Sequence, residues 1–394
     1  MSFRLISADS HVVEAPDLWE KWLSKEFLPR APKLVKDADG GDAWQYRPGT
    51  PPVPLGLVTT YLGRTYDKFK WTGAKYGEVN AGAHHGPTRL KEQEVDGVSA
   101  EVLYPSQRTM RHFMLDDDPE FHEAGIGAYN NWMAKEFMAA NPDRLIGLAQ
   151  MPNLGPEKMV AEMRRAKSMG MRGVILSSWP SGAPSLSKED DIFWEEVQKL
   201  DLPVSIHLGV ASKQTAQPGA QAQTGVAQAT GLLTSGAKSV VGYSTAGMDT
   251  MPNIIAETIL SGLFDRFPKL RLISVEAGAG WIPYFLEQMD DRYWRNRGWA
   301  KLELSMLPSE YFRRNWMATF VLDFYGVKNR HAAGIRNIMW STDYPHHICD
   351  WPYSRKNAME MFAGVPENER DAICSANAAQ LYKLNGFLSA RAAA

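Results

Sequence analysis

Five residues that could bind a divalent metal stand at or just after short apolar segments of this sequence. Asp9 and His11 follow RLIS, His207 ends PVSIH, Glu276 follows RLISV, and Asp343 follows NIMWST. Imidazole nitrogens and carboxylate oxygens are the ligands expected for Zn, Mn or Fe in a catalytic site with an open water position. We therefore expect one metal centre, with zinc as the first choice of ion and manganese or iron as alternatives.

Each of these residues also has an ordinary structural explanation. A single His at a strand end is more often buried in the core or on its rim. Asp343 before Tyr-Pro could end a turn, and Glu276 before Ala-Gly-Ala-Gly could cap a helix. Several such coincidences would be needed at once, and this favours the metal centre.

Short apolar segments alternate with helical patterns along the chain. Most are rich in Val, Ile and Leu and end in small or polar residues, as buried parallel strands do. The predicted strands are 4–9, 98–105, 144–152, 173–178, 203–209, 271–278, 318–323 and 337–345. Eight strand–helix repeats predict an α/β fold, a (β/α)8 TIM-type barrel, whose strand ends face one mouth. An open doubly wound sheet is the alternative, but SADSH stands where that fold usually has a Gly-rich loop.

Two long segments interrupt the strand–helix repeat. Residues 15–87 follow the first strand and residues 211–250 follow the fifth. Both leave the carboxyl end of a strand, which is the active-site face of a barrel. We expect residues 1–394 to form a single barrel domain with these two insertions.

Composition excludes several classes of protein. The 394 residues carry a formal net charge of −2, so no basic surface indicates nucleic acid or an acidic membrane. Two cysteines are too few for a disulfide framework. No apolar run approaches the roughly 20 residues of a membrane span, and no signal peptide is visible. We expect a cytoplasmic homodimer or higher homo-oligomer that acts on a small molecule.

The segments SADSHVVE, IHLG, SVEAGAGWIPYFLEQMDDRY, WSTDYPHH and SANAAQLYKL resemble the amidohydrolase-2 family. That family includes aminocarboxymuconate-semialdehyde decarboxylase, related aromatic-acid decarboxylases and many uncharacterised hydrolases. The resemblance implies a (β/α)8 barrel, a divalent metal, and action on small carboxylated or aromatic molecules.

Two positions depart from this resemblance. Better-known members often carry His-x-His on the first strand, where this chain has Asp9-Ser10-His11. They also place a His at the end of the sixth strand, where Glu276 stands here. An extra carboxylate favours harder ions such as Mn and Fe(II), or a second cation.

These residues predict a hydrolase in which the metal activates water and Asp343 accepts its proton. Glu276 would complete the coordination or assist proton transfer, but its charge would repel a substrate carboxylate. The first alternative is a nonoxidative decarboxylase of an aromatic or unsaturated acid. The second is a non-catalytic metal-binding barrel, which would be marked by a missing ligand.

Three further residues could support the metal centre. His346 and His347 directly follow the Asp343 segment and are expected to contact the substrate. Glu14, three residues after His11, could orient that imidazole as a hydrogen-bond acceptor.

Overall fold

Parallel strands separated by helices form the centre of the computed structural model, which describes residues 3–55, 71–210, 235–245 and 247–388. In these residues the strands are β1 (Ile6–His11), β2 (Lys33–Lys36), β3 (Asp42–Gln45), β4 (Val53–Pro54), β5 (Ala100–Tyr104), β6 (Leu145–Gly147), β7 (Ala149–Gln150), β8 (Val174–Ile175), β9 (Val204–His207), β10 (Leu272–Val275), β11 (Trp316–Phe320) and β12 (Ile338–Trp340). Six of the eight predicted barrel strands contain one of these strands or, for 144–152, two. The predicted strands 4–9 and 318–323 only overlap β1 and β11, because β1 continues to His11 and β11 begins at Trp316.

The barrel strands pair in parallel in the orders β1-β5-β6 and β7-β8-β9-β10-β11-β12. β6 and β7 are two parts of one predicted strand and are separated only by Leu148. On the other side, the Asp343 N–H donates to the Asp9 carbonyl at 2.9 Å, and the His11 N–H donates to the Tyr344 carbonyl at 2.6 Å. These bonds connect the first strand with the segment after the last one. The predicted (β/α)8 barrel is confirmed.

Helices connect the strands as the sequence pattern predicts. The α-helices are Leu18–Trp22, Gly86–Asp96, Gln107–Met114, Pro119–Trp132, Pro156–Ser168, Asp191–Leu200, Ser235–Thr245, Met251–Leu260, Leu263–Arg266, Ile282–Ala300, Pro308–Asn315, Phe324–Lys328, Arg330–Ala333, Ser354–Met361, Glu367–Asp371, Asn377–Leu381 and Asn385–Leu388. Shorter 3-10 helices are Leu28–Arg30, Tyr76–Glu78, Ala81–Ala83, Met138–Ala140, Lys188–Asp190 and Ile335–Asn337, and π-helical turns are Met133–Phe137 and Ala372–Ala376. No helix in the described ranges is long and apolar enough to cross a membrane.

Two apolar clusters hold the strands in place. One contains alternate strand residues such as Ile6, Val102, Ile146 and Ile273, and it fills the space enclosed by the strands. The larger cluster packs the outer strand faces against the helices. Burial of apolar side chains in these clusters contributes about 1.5–3 kcal/mol for each large residue.

The first insertion contains a small antiparallel sheet that the sequence analysis did not predict. β2, β3 and β4 pair in sequence order, with Leu34 opposite Trp44. Trp19, Trp44 and Leu55 are buried in the same cluster as the barrel helices, so this insertion packs on the barrel. In the second insertion the structure describes the helix Ser235–Thr245, whereas 211–234 and 246 lie outside the described residues. The assignment of residues 1–394 to one domain stays a prediction.

Candidate metal centre

The structure brings all five predicted metal-binding residues together at the carboxyl ends of the strands. Asp9 and His11 lie on β1, and His207 is the last residue of β9. Glu276 directly follows β10, and Asp343 lies three residues after β12. The parallel pairing explains this convergence, because it places the carboxyl ends of all strands around one mouth.

The closest contacts lie around the two histidines. The Nε2 atoms of His11 and His207 are 3.0 Å apart. His11 Nε2 lies 3.5 Å from Asp9 Oδ1 and 3.3 Å from Asp343 Oδ1, and His207 Nε2 lies 3.2 Å from Glu276 Oε2. Asp9, His11, His207 and Glu276 offer ligand atoms that all lie within 4.8 Å of one another.

A second group of potential ligands overlaps the first. It consists of His11, Glu276, Asp343 and His346, again with ligand atoms within 4.8 Å. His346 lies with Nδ1 3.0 Å from Asp343 Oδ1, and its ring stacks on His11 with 3.9 Å between the ring centroids. The two groups share His11 and Glu276, so they form one site.

Backbone conformation directs two of the carboxylates into this site. Glu276 and Asp343 have φ angles of +64° and +55°, in the left-handed region that costs energy for residues other than glycine. The backbone N–H of Glu276 donates to the Thr319 hydroxyl at 2.9 Å, and that of Asp343 donates to the Asp9 carbonyl at 2.9 Å. Tertiary hydrogen bonds therefore support both strained strand ends.

The buried carboxylate oxygens fit a cation. Both Oδ atoms of Asp9 are buried without a hydrogen-bond partner in the described part of the chain. A buried anionic oxygen without a donor is costly unless a positive charge compensates it. The donor set of imidazole nitrogens and carboxylate oxygens suits a divalent ion of the Zn, Mn or Fe type.

Burial sets the protonation of the imidazoles in favour of metal binding. It lowers the pKa of His207 to about 3, with a further contribution from the nearby His346. Burial also lowers the pKa of His346 to about 3, and the positive charge of Arg108 adds to this effect. The pKa of His11 lies well below its ordinary value, first because of burial and then because of His346 and His207. Neutral imidazoles are the form that binds metals.

The carboxylates show the opposite change. Burial raises the pKa of Asp9 well above its ordinary value, and the charges of Asp343 and Glu276 raise it further. Burial and Asp343 raise the pKa of Glu276, and burial raises that of Asp343. Three carboxyl groups in one buried site thus oppose each other's ionisation, and a divalent cation would relieve this repulsion.

Of the three residues expected to support the metal centre, the structure places His346 beside the cluster. His346 contacts the metal-binding group, whereas the groups of potential ligands in the described residues do not include His347. Its substrate contact stays a prediction. The proposed role of Glu14 is not what the structure shows, because His11 Nδ1 lies 3.4 Å from the Pro105 carbonyl oxygen. Glu14 is instead buried near Thr109 and Ser106, and burial raises its pKa to about 8.

Two arginines near the site were not found from the sequence. Arg89 makes contacts behind the first strand, and Arg108 lies in the first turn of the helix after β5. Their charges are among the causes that lower the pKa of His11 and His346, respectively. For Arg108 a signal existed, since it is a charged residue close behind the carboxyl end of a strand. For Arg89, on the helix Gly86–Asp96, the sequence offered none.

Comparison with known proteins agrees with this geometry. Residues 97–384 match the family model described as Amidohydrolase. The chain belongs to the amidohydrolase family. The matched range begins after β1, so the assignment of Asp9 and His11 in this amidohydrolase depends on the structure.

Its similar proteins include several decarboxylases. Gamma-resorcylate decarboxylase from Rhizobium sp. is 26% identical over 314 residues, which cover 76% of this chain and 87% of the relative. The structure of 5-carboxyvanillate decarboxylase from Sphingomonas paucimobilis is 22% identical, with a TM-score of 0.64 over 97% of this chain and 99% of that one. Dihydroxybenzoic acid decarboxylase from Polaromonas sp., solved with manganese and 2-nitroresorcinol, is 19% identical, with a TM-score of 0.61 over 97% and 98%.

These comparisons bear on the reaction expected from the sequence. The hydrolase expectation for this amidohydrolase finds no support in the three proteins. All three are named as decarboxylases, and the decarboxylase alternative therefore fits better. Membership of this family and the convergence of all predicted ligands also give the non-catalytic barrel no support.

Proposed function

We propose that this amidohydrolase is a metal-dependent nonoxidative decarboxylase of an aromatic acid with a hydroxyl group beside its carboxylate. The observation that carries the proposal is the buried cluster of imidazoles and carboxylates at the strand ends, with its unpartnered Asp9 oxygens. The relatives supply the reaction class, because the matched enzymes decarboxylate gamma-resorcylate and 5-carboxyvanillate.

Asp9, His11, His207 and Asp343 would hold one divalent cation, with Glu276 completing the site. We assign manganese as the first choice, because a solved decarboxylase of this fold holds it. Zinc and iron remain alternatives. When bound, the cation supplies a Lewis acid that holds the substrate carboxylate and the adjacent hydroxyl.

Arg108 and Trp71 would bind the substrate beside the metal ligands. The Arg108 guanidinium carbon lies 6.0 Å from the centroid of the Trp71 ring. Its charge acts on His346, which stacks on the metal ligand His11. A cation next to an aromatic ring suits an aromatic acid, since the guanidinium can pair with an anionic oxygen while the indole packs on the ring.

The reaction itself is a replacement of carboxyl by hydrogen. The bond between the ring carbon and the carboxyl carbon breaks, carbon dioxide leaves, and the electron pair stays on the ring. The ring carbon then takes a proton. We assign proton delivery to Asp343, which is hydrogen-bonded to His346, with Glu276 as a second carboxyl group in the same cluster.

Glu276 led to the expectation of hydrolysis, because a carboxylate beside the metal would repel a substrate carboxylate. In the folded chain, the positive charge of Arg108 acts on His346 in the same cluster, and Glu276 lies against His207. A positive charge at the site attracts a substrate carboxylate, so the repulsion by Glu276 does not by itself decide the reaction.

The test is product analysis with ortho-hydroxybenzoic acids, including 2,6-dihydroxybenzoate and 5-carboxyvanillate. The manganese-loaded protein should release one labelled CO2 per ring product and, in D2O, place one deuterium on the ring carbon. Release of an acid or amine containing oxygen from labelled water, with no CO2, would instead establish the hydrolase. The expected homodimer or higher homo-oligomer is a separate proposal, which sedimentation analysis would test.

A further inference from the structure

We propose that Arg89 is a positioning residue that sets the metal affinity of the centre by fixing the backbone on both sides of the cluster. This inference rests on the metal centre and not on the proposed reaction. Arg89 does not belong to either group of potential metal ligands. It acts through the segments that carry Asp9, His11 and Asp343.

The Arg89 side chain is buried, with 1% of its surface exposed, and its hydrogen bonds involve all three guanidinium nitrogens. Nε and Nη2 donate to the two carboxylate oxygens of Glu101 at 2.6 and 3.1 Å. Nη1 donates to the carbonyl of His11 at 3.1 Å, and Nη2 donates to that of Tyr344 at 3.2 Å. One side chain thus connects the end of β1 with the residue after Asp343.

Glu101 extends the connection to the neighbouring hydroxyl groups. Its carboxylate accepts from the Ser10 hydroxyl at 3.0 Å and from the Gln93 amide at 2.6 Å. Ser10 and Thr342 hydroxyls lie 3.0 Å apart. Ser10 lies between the proposed ligands Asp9 and His11, and Thr342 directly precedes the proposed ligand Asp343. The Arg89–Glu101 ion pair is therefore connected to the segments on both sides of the cluster.

Strand geometry explains why this network lies behind the metal ligands. Successive side chains of a strand point to opposite faces, so Ser10 points away from the face shared by Asp9 and His11. The register of β1 against β5 shifts between Ser7 and Ser10, which gives β1 an extra residue at this point. A bulge re-aims side chains locally, and the Arg89–Glu101 pair holds this irregular segment.

A buried ion pair is a weak source of stability, because desolvation offsets much of its attraction. Arg89 donates a fifth hydrogen bond, from Nη1 to the Gly82 carbonyl at 3.2 Å. Five hydrogen bonds to acceptors on separate segments nevertheless fix the relative positions of those segments. Partners behind metal ligands that orient them typically change metal affinity by about 10- to 100-fold when they are removed. Arg89 contacts the backbone carbonyls of His11 and Tyr344 and not the ligand side chains, so its removal should act on metal affinity through the position of these two segments.

The experiment compares Arg89→Lys with a matched control, Arg164→Lys. Arg164 makes a similar two-pronged pair with Glu196, at 2.8 and 2.8 Å, between the helices Pro156–Ser168 and Asp191–Leu200. Lysine keeps the charge in both variants but loses the planar fork. Mn²⁺ is titrated into each chelator-treated protein without substrate, and unfolding is measured in parallel.

We expect the Kd for Mn²⁺ to rise about 10- to 100-fold in Arg89→Lys and to stay within twofold in Arg164→Lys. A Kd within twofold for both would overturn the proposal, whatever the loss of stability. If Arg89→Lys does not fold, Ser10→Ala removes only the hydroxyl link, and an unchanged Kd there would also overturn it. The Mn²⁺ titration contains no substrate. Its outcome therefore does not depend on whether the protein proves to be a decarboxylase.

Discussion

The Nε2 atoms of His11 and His207 lie 3.0 Å apart although the residues come from strands β1 and β9. At that distance either one ring donates its N–H to the other, or both lone pairs face the same cation. Asp9 and Glu276 lie close to the same two nitrogens, within 3.5 and 3.2 Å, respectively. Because a cation bound at this contact would stabilise the folded state, the metal content of the protein should affect its stability.

Metal removal should lower the stability of the folded chain. A ligand that binds only the folded state at a hundred times its Kd stabilises by about 2.7 kcal/mol. We expect chelator-treated protein to unfold at a lower temperature and Mn²⁺ to restore the transition. Calorimetry with and without Mn²⁺ checks this, with Mg²⁺ as the control ion. An unfolding temperature that does not change with any added metal would contradict the assignment of the cluster as a metal centre.

His207→Ala should remove the metal while leaving the barrel folded. The imidazole is a proposed ligand at a strand end, where residues serve function more than stability. We expect elemental analysis to give less than about a tenth of the wild-type metal content, with unchanged circular dichroism. His331→Ala is the control, because that imidazole is 63% exposed on the outer surface. Full metal content in His207→Ala would show that the constellation is wrong.

Asp9→Asn should have opposite effects with and without metal. Without metal, removal of a buried carboxylate that lacks a donor should raise the free energy of unfolding, by about 1–3 kcal/mol. With Mn²⁺ present, loss of an anionic ligand should weaken metal binding, so that the variant should be less stable than the wild type. Urea unfolding of both proteins in EDTA and in Mn²⁺ gives the comparison. The same sign under both conditions would mean that Asp9 is not a ligand.

Arg108→Gln should weaken substrate binding more than turnover. A charge-assisted hydrogen bond contributes about 1.5–3 kcal/mol, so we expect KM to rise by roughly 10- to 100-fold with a smaller change in kcat. Arg313→Gln, exposed on the helix Pro308–Asn315, is the control. Steady-state kinetics with 2,6-dihydroxybenzoate measures both. An unchanged KM would remove Arg108 from the substrate site.

Asp96 should make stability depend on pH in mildly acidic solution. Burial raises the pKa of this carboxyl to about 6 from an ordinary value of 3.8. Its protonated form therefore stabilises the folded state fully below pH 3.8, and this contribution is lost as pH rises through about 6. Asp96→Asn should exceed the wild type in stability at pH 8, by at most about 3 kcal/mol, and match it near pH 4.

The control for this pH dependence is Asp143→Asn, whose side chain is 76% exposed. Denaturant unfolding at both pH values measures the difference between each variant and the wild type, so that contributions from the metal cancel. An equal difference for Asp96→Asn at pH 4 and pH 8 would contradict the assigned pKa.

The sequence alone was enough to predict the barrel and to propose five residues as candidate metal ligands. Short apolar strands at regular intervals permit few folds, and a closed parallel barrel gathers the carboxyl ends of its strands. Asp9, His11, His207, Glu276 and Asp343 were identified because they stand at those ends. No long-range contact had to be known for this inference, since the strand period and the fold supply it.

Only the tertiary structure showed how these residues are held and what surrounds them. Arg89 contacts carbonyls 78 and 255 residues away, and neither periodicity nor motif predicts such pairs. The position of Arg108 near His346 likewise depends on how a helix packs at the mouth. Because electrostatic energies depend on distance and burial, the effect of Glu276 on the reaction could not be judged from its position in the sequence.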